Sequence, residues 1–107
     1  MSYEYNLTFE NEVDKCSFIN KISTSPLAVR RGKNIDLRAA DSNSQWSYDV
    51  RLVELVTHKC LIQVAAKSEA IYILFDLALR KMNFNIIEDG DEEYVDLEHA
   101  LKPSKNR

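Results

Sequence analysis

His58 and Cys60 stand two residues apart, the spacing that turns both side chains to one face of an extended strand, where an imidazole could take a proton from a thiol. No oxyanion donor or third orienting group can be named beside them, and the apolar run that follows Cys60 raises a thiol pKa rather than lowering it. Zinc chemistry needs clustered Cys and His, and this pair has no matching second pair. Cys16 belongs to a different predicted element, so the two cysteines read as small buried apolar groups in a reducing compartment. His99, near the end of a short terminal helix, reads as a solvated histidine. The only glycines, Gly32 and Gly90, do not sit between a strand and a long helix, so a phosphate-cradling loop is not expected. The sequence therefore assigns no catalytic residue, no metal ligand and no cofactor.

Two charged segments remain. Arg30, Arg31 and Lys33 surround Gly32, with Arg38 on the following strand and Trp46 and Tyr48 further on. Cations for phosphates and aromatics for stacking are the ingredients of nucleic-acid contact. The plainer reading is a solvated basic turn with Tyr48 in the core. Residues 88–98 contain Glu88, Asp89, Asp91, Glu92, Glu93, Asp96 and Glu98 and no base. These seven acids carry −7 of a formal net charge of −3, leaving the rest of the chain at +4. Tyr94, Val95 and Leu97 are interleaved with them, so the stretch combines an anionic surface with apolar anchors, a combination suited to a basic protein cleft.

The elements that must position these groups follow from periodicity. Tyr3, Tyr5, Leu7 and Phe9 alternate with polar residues and predict a strand with one buried face. Val13, Cys16, Phe18, Ile19 and Ile22 recur at helical spacing behind the potential N-cap Asn11. Residues 23–26 end that helix. Residues 27–29 and 35–39 then predict a hairpin with a basic tip at Gly32. Residues 40–45 are polar turn formers. Trp46, Tyr48, Val50 and Leu52 predict a half-exposed strand and residues 60–65 a more central one. Ser68 should cap the main core helix, running to about Met82, with Ile71, Leu74, Phe75 and Ala78 in one stripe and Ile73 and Leu77 in a neighbouring one. Phe84, Ile86 and Ile87 suggest a strand, Asp89 and Gly90 a turn, Tyr94 and Val95 a partner strand, and Asp96 the cap of a short last helix.

The expected order is β-α-β-β-β-β-α-β with a small C-terminal addition. It predicts an α+β two-layer sandwich, ferredoxin-like or related, with a mainly antiparallel sheet and both helices on one face. At 107 residues, with two Gly and two Pro, residues 1–102 are expected to form one α+β domain and 103–107 a frayed basic tail. The longest apolar stretch, residues 70–79, is broken by Asp76 and falls short of the ~20 residues that cross a bilayer. The N-terminus lacks a basic region followed by an apolar run, so the expected location is the cytoplasm.

With this size, the glycine-poor α+β pattern, the lack of a catalytic constellation and the acid-rich segment 88–98 with Tyr94, the chain resembles the small acidic immunity proteins that bacteria co-express with secreted toxins, including those of contact-dependent growth inhibition systems. The resemblance implies a protein partner, a toxin domain with a basic surface such as a nuclease, neutralised by covering its active site or a nearby surface. Glu88, Asp89, Asp91, Glu92, Glu93, Tyr94, Asp96 and Glu98 are the expected contact residues, and Arg30, Arg31, Lys33 and Arg38 form the alternative surface. The competing readings are a nucleic-acid-binding or regulatory module using the basic hairpin, and a dimerising accessory subunit of a phage or bacterial assembly. A small enzyme ranks last.

Overall fold

Strict alternation in the first strand, β1 (Tyr3–Phe9), buries Tyr5, Leu7 and Phe9 on one side and leaves Glu4, Asn6 and Thr8 on the other. In the computed structural model, which describes residues 3–40, 42, 45, 47–90 and 92–103, β1 is an inner strand of a seven-stranded, wholly antiparallel sheet. The elements that follow are α1 (Glu12–Ser23), β2 (Ala28–Arg31), β3 (Asn34–Leu37), β4 (Val50–Glu54), β5 (Lys59–Val64), α2 (Glu69–Leu79), β6 (Phe84–Glu88), β7 (Tyr94–Val95) and α3 (Leu97–Leu101). Their order across the sheet is β2-β3-β4-β5-β1-β6-β7. Because β5 and β6 each pair antiparallel with β1, they run parallel to one another, and α2 links them across β1. This is the split β-α-β arrangement of a ferredoxin-like sandwich, with its central hairpin lengthened into a four-strand meander.

Local chemistry sets the boundaries. Asn11 Oδ1, Ser68 Oγ and Asp96 Oδ1 accept from the amides of Asp14, Ile71 and His99 at 2.8, 3.3 and 2.8 Å, capping the three helices. Gly32, at φ +62°, takes the first central position of the two-residue β2–β3 turn, where a side chain would be strained.

The core lies between the sheet and the helices. Phe9, Phe18 and Phe75 stack in series, with ring centroids 5.3 and 5.4 Å apart, joining β1 to α1 and α1 to α2. Leu7, Ile35, Leu37, Val50, Leu52 and Ile62 supply the sheet side, while Ile22, Ile71, Ala100 and Leu101 close over them.

The structure corrects several sequence expectations. Val13 and Cys16 are exposed, and the buried face of α1 is Lys15, Phe18, Ile19 and Ile22. Lys15 lays its aliphatic stem over the sheet, and its ammonium donates to the Leu55 carbonyl at 3.0 Å and pairs with Glu54 at 3.3 Å. On α2, Ile73 and Leu77 are exposed and Leu74 is half-buried, because one sheet can cover only one stripe of a helix. That helix ends at Leu79 rather than near Met82, and the chain turns through a left-handed Lys81 at φ +71°. The strand expected over residues 46–52 begins at Val50. Tyr48 is buried outside the main core cluster, beneath the Arg51 guanidinium at 4.5 Å, and Trp46 lies outside the described residues. The tail expected over 103–107 also falls outside them, apart from Pro103.

Truncating Phe75 to Ala should therefore cost about 3 to 5 kcal/mol, whereas Ile73→Ser on the exposed stripe should cost less than about 1 kcal/mol. Urea denaturation of the two variants checks both, and comparable losses would show that α2 lies on the sheet through a different face.

Candidate protein-binding surface

The acids of residues 88–98 share a segment of sequence but not one surface. Glu88 ends β6 on the helix side of the sheet, where its carboxylate lies 3.7 Å from His99 Nε2 on α3. His99 is thus less isolated than its sequence position suggests, and its ring also stands edge-on to Tyr5 at 6.3 Å. Burial first, and then the Glu88 carboxylate, raise the Tyr5 phenol above its ordinary pKa. Asp96 is consumed as the α3 cap, and Glu98 pairs along α3 with Lys102 at 3.5 Å.

Asp89, Glu92 and Glu93 occupy the β6–β7 turn. The Glu92 amide donates to the Glu88 carbonyl and the Glu88 amide to the Glu93 carbonyl, both at 2.9 Å, and the Asp89 amide donates to the Glu4 carbonyl at 3.0 Å. These bonds fold the turn back toward β1. Gly90 at φ +98° and Glu92 at φ +55° accommodate the reversal. Asp91 lies outside the described residues. Asp89, Glu92 and Glu93 are exposed, and Tyr94 follows them with 72% of its surface open to solvent.

Register explains that exposure. Tyr94 pairs with Ile87, which pairs with Asn6, and the same row continues through Leu61, Val53 and Asn34 to Arg31. All of these lie on the face turned away from the helices. Between that face and the turn lies a concavity of about 430 Å³ lined by Asn6, Thr8, Lys59, Ile87, Glu88, Asp89, Glu92 and Tyr94. Sequence reasoning named the acids and Tyr94 but missed Asn6, Thr8, Lys59 and Ile87. The available signal was the pair Ile86-Ile87, which breaks alternation and must put one isoleucine on the open face.

The basic hairpin is differently committed. Arg30 donates to Glu54 at 3.1 Å, to the Gly32 carbonyl at 3.1 Å and to Ser23 Oγ at 3.4 Å. Arg31 bonds Asp36 at 3.2 Å, and Asp36 is also gripped by Arg51 at 2.7 and 3.2 Å. Lys33 and Arg38 are exposed at the turn and beyond β3. Of the two aromatics expected beside these cations, Tyr48 offers no open face and Trp46 lies outside the described residues.

A larger hollow, of about 680 Å³, opens near the start of α2 beside Asp49. The Asp49 carboxylate is already used, accepting from the Ala39 amide at 2.9 Å and Ser42 Oγ at 2.6 Å, so it fastens the β3–β4 connection. No group of three or more His, Cys, Asp or Glu side chains among the described residues is placed to hold a metal ion. No helix among them is long and apolar enough to cross a membrane. No family model, no curated protein and no solved structure matches the chain.

Cys60 faces the core opposite Leu7, and burial pushes its thiol up to about 12. An unfolded thiol ionises near pH 8.5 to 9 while the native one stays protonated, so the native state binds the extra proton and this contribution to stability falls as pH rises. Stability should decline by roughly 1.4 kcal/mol per pH unit from about pH 9 up to the native value. Urea unfolding at pH 8 and pH 10.5 should show a steeper loss in the native protein than in Cys60→Ala. Parallel slopes would refute the assignment. At pH 8, a disulfide reagent should label Cys16 at once and Cys60 only on unfolding.

Proposed function

We propose that the chain is an immunity-type inhibitor, a cytoplasmic binding protein without catalytic activity that neutralises a cognate toxin by occupying a basic surface at or near its active site. The observation that carries this reading is the exposed Tyr94, set directly after Glu92 and Glu93, which with Asp89 enter no ion pair among the described residues, at the margin of an open sheet face. An exposed tyrosine gives an interface apolar area with one polar handle, and surrounding acids steer it toward a cationic surface. A nuclease is the toxin class that fits this chemistry best, because its phosphate-binding cleft is cationic and the carboxylates would compete for it.

Reading the hairpin as a nucleic-acid surface is less well supported, since Arg30 and Arg31 are engaged by Glu54 and Asp36. The contact set also narrows. Asp89, Glu92, Glu93 and Tyr94 stay in it, while Asp96 and Glu98 serve α3 and Glu88 faces His99.

The test is capture from the native host, followed by expression of each captured protein alone and with this chain. A true partner arrests growth alone and is silenced by co-expression. Its association with the purified chain should slow as salt rises, and slow further, by about tenfold, when Asp89, Glu92 and Glu93 are changed together to Ser. Tyr94→Ala should weaken binding by about 1 to 3 kcal/mol while leaving the melting temperature within about 2 °C of the parent. A partner bound equally well by both variants removes this surface from the interface.

A further inference from the structure

The open sheet face and the β6–β7 turn together define more than an acidic edge. We propose that the concavity between them is the seat of a single arginine side chain presented by the partner protein. The proposal deepens the reading of the chain as a binder of a basic protein and rests on it.

The floor of the concavity is the sheet itself, with Ile87 as its apolar side chain and Asn6 and Thr8 as hydrogen-bonding neighbours. Tyr94 stands at the side with its ring largely exposed, and Asp89 and Glu92 come from the turn. Neither carboxylate enters an ion pair among the described residues, in contrast to Glu54, Asp36, Glu88 and Glu98. The volume, about 430 Å³, exceeds one long side chain and leaves space for the backbone that carries it.

Each feature selects among occupants. The lining sets the carboxylates of Glu88, Asp89 and Glu92 against the ammonium of Lys59, so its net negative charge repels a phosphate and attracts a cation. A metal ion would require three or more ligands, and no such group exists among the described residues. Of the organic cations, a strongly hydrated ammonium gains little from Ile87 or a flat ring. A guanidinium is planar, weakly hydrated, able to bond carboxylates in a fork and to lie against Tyr94, and its three-carbon stem suits the Ile87 floor. A second copy of the chain is disfavoured as the source, because Arg30, Arg31, Arg51 and Arg80 are each held by a carboxylate of their own chain, Glu54, Asp36 or Asp76.

The test uses the isotope-labelled full chain and two probes, acetyl-Gly-Arg-Gly-amide and its lysine counterpart, titrated at low salt and followed by amide chemical shifts. The arginine peptide should move the amides of Asn6, Thr8, Ile87 and Tyr94 and bind about threefold tighter than the lysine peptide. Asp89→Asn combined with Glu92→Gln should weaken it by roughly fivefold. Tyr94→Leu should abolish the preference for arginine over lysine, and matched melting curves would show that both variants are folded. Equal binding of the two peptides, no binding, or shifts centred on Glu98 and α3 would overturn the proposal. So would displacement of the same amides by raising the protein concentration alone, which would identify a second copy as the occupant. Growth rescue in cells reads the inhibitor function separately. Rescue that depends on the acids while the peptides fail removes only the arginine seat. Peptide binding without any toxin partner removes only the toxin.

Discussion

Contact between Phe9, Phe18 and Phe75 fixes everything else in this fold, because it settles which face of the sheet is covered. Three aromatic rings from β1, α1 and α2 interlock over an inner strand, and both helices must then lie on the side toward which Phe9 points. With a side-chain period of two, every strand in register with β1 inherits that choice. Leu37, Leu52, Ile62 and Ile86 turn inward, and Asp36, Val53, Leu61 and Ile87 turn outward as a consequence. A slip of one residue in β6 would bury Ile87 and expose Ile86 without changing composition, but it would also break the Leu7–Ile86 pairing beneath the helices.

The charges divide along the same boundary. On the helix side, Lys15 and Arg30 converge on Glu54, tying α1 and the β2–β3 hairpin to the end of β4. On the open side, Arg31 and Arg51 share Asp36 across β2, β3 and β4. The carboxylates of Glu54 and Asp36 are largely buried, which reduces screening, and the two pairs on Glu54 join elements distant in sequence. Their cost is functional. An arginine fixed by a carboxylate is a poor phosphate ligand, since binding would require the internal pair to be broken first. Most of the hairpin's charge is therefore spent on architecture, while Asp89, Glu92 and Glu93 in the turn between β6 and β7 enter no ion pair among the described residues.

Most of the fold was legible in the sequence because the period-two pattern of β1, the N-caps Asn11, Ser68 and Asp96, and the turn glycine Gly32 are local signals that tertiary packing reinforces. What could not be read was which apolar residues of an over-wide helical stripe would be covered. Ile71 and Ile73 are alike in type, and only the position of the sheet decides that the first is buried and the second exposed. Lys15 shows the opposite case, a charged residue carried inside by its long apolar stem, by the Glu54 carboxylate and by the Leu55 carbonyl forty residues away. For the acidic stretch, sequence gave the composition but not the partition. Glu88, Asp96 and Glu98 differ from Asp89, Glu92 and Glu93 only in what the fold sets opposite them.

That partition also accounts for where Tyr94 stands. The β7 strand is two residues long, so it offers its neighbours little edge for unwanted strand pairing, and its brevity follows from the cap at Asp96 that begins α3 immediately afterward. Val95, the inward residue of the pair, packs against the core opposite Ile86 and holds the strand in place. Alternation then leaves Tyr94 no choice but the open face, beside Ile87 and just beyond the acids of the turn. The tyrosine's exposure is not a defect of packing. It is the necessary counterpart of burying Val95 in a strand too short to do anything else, and it places a large, stiff, amphipathic side chain beside Asp89, Glu92 and Glu93, which enter no ion pair among the described residues.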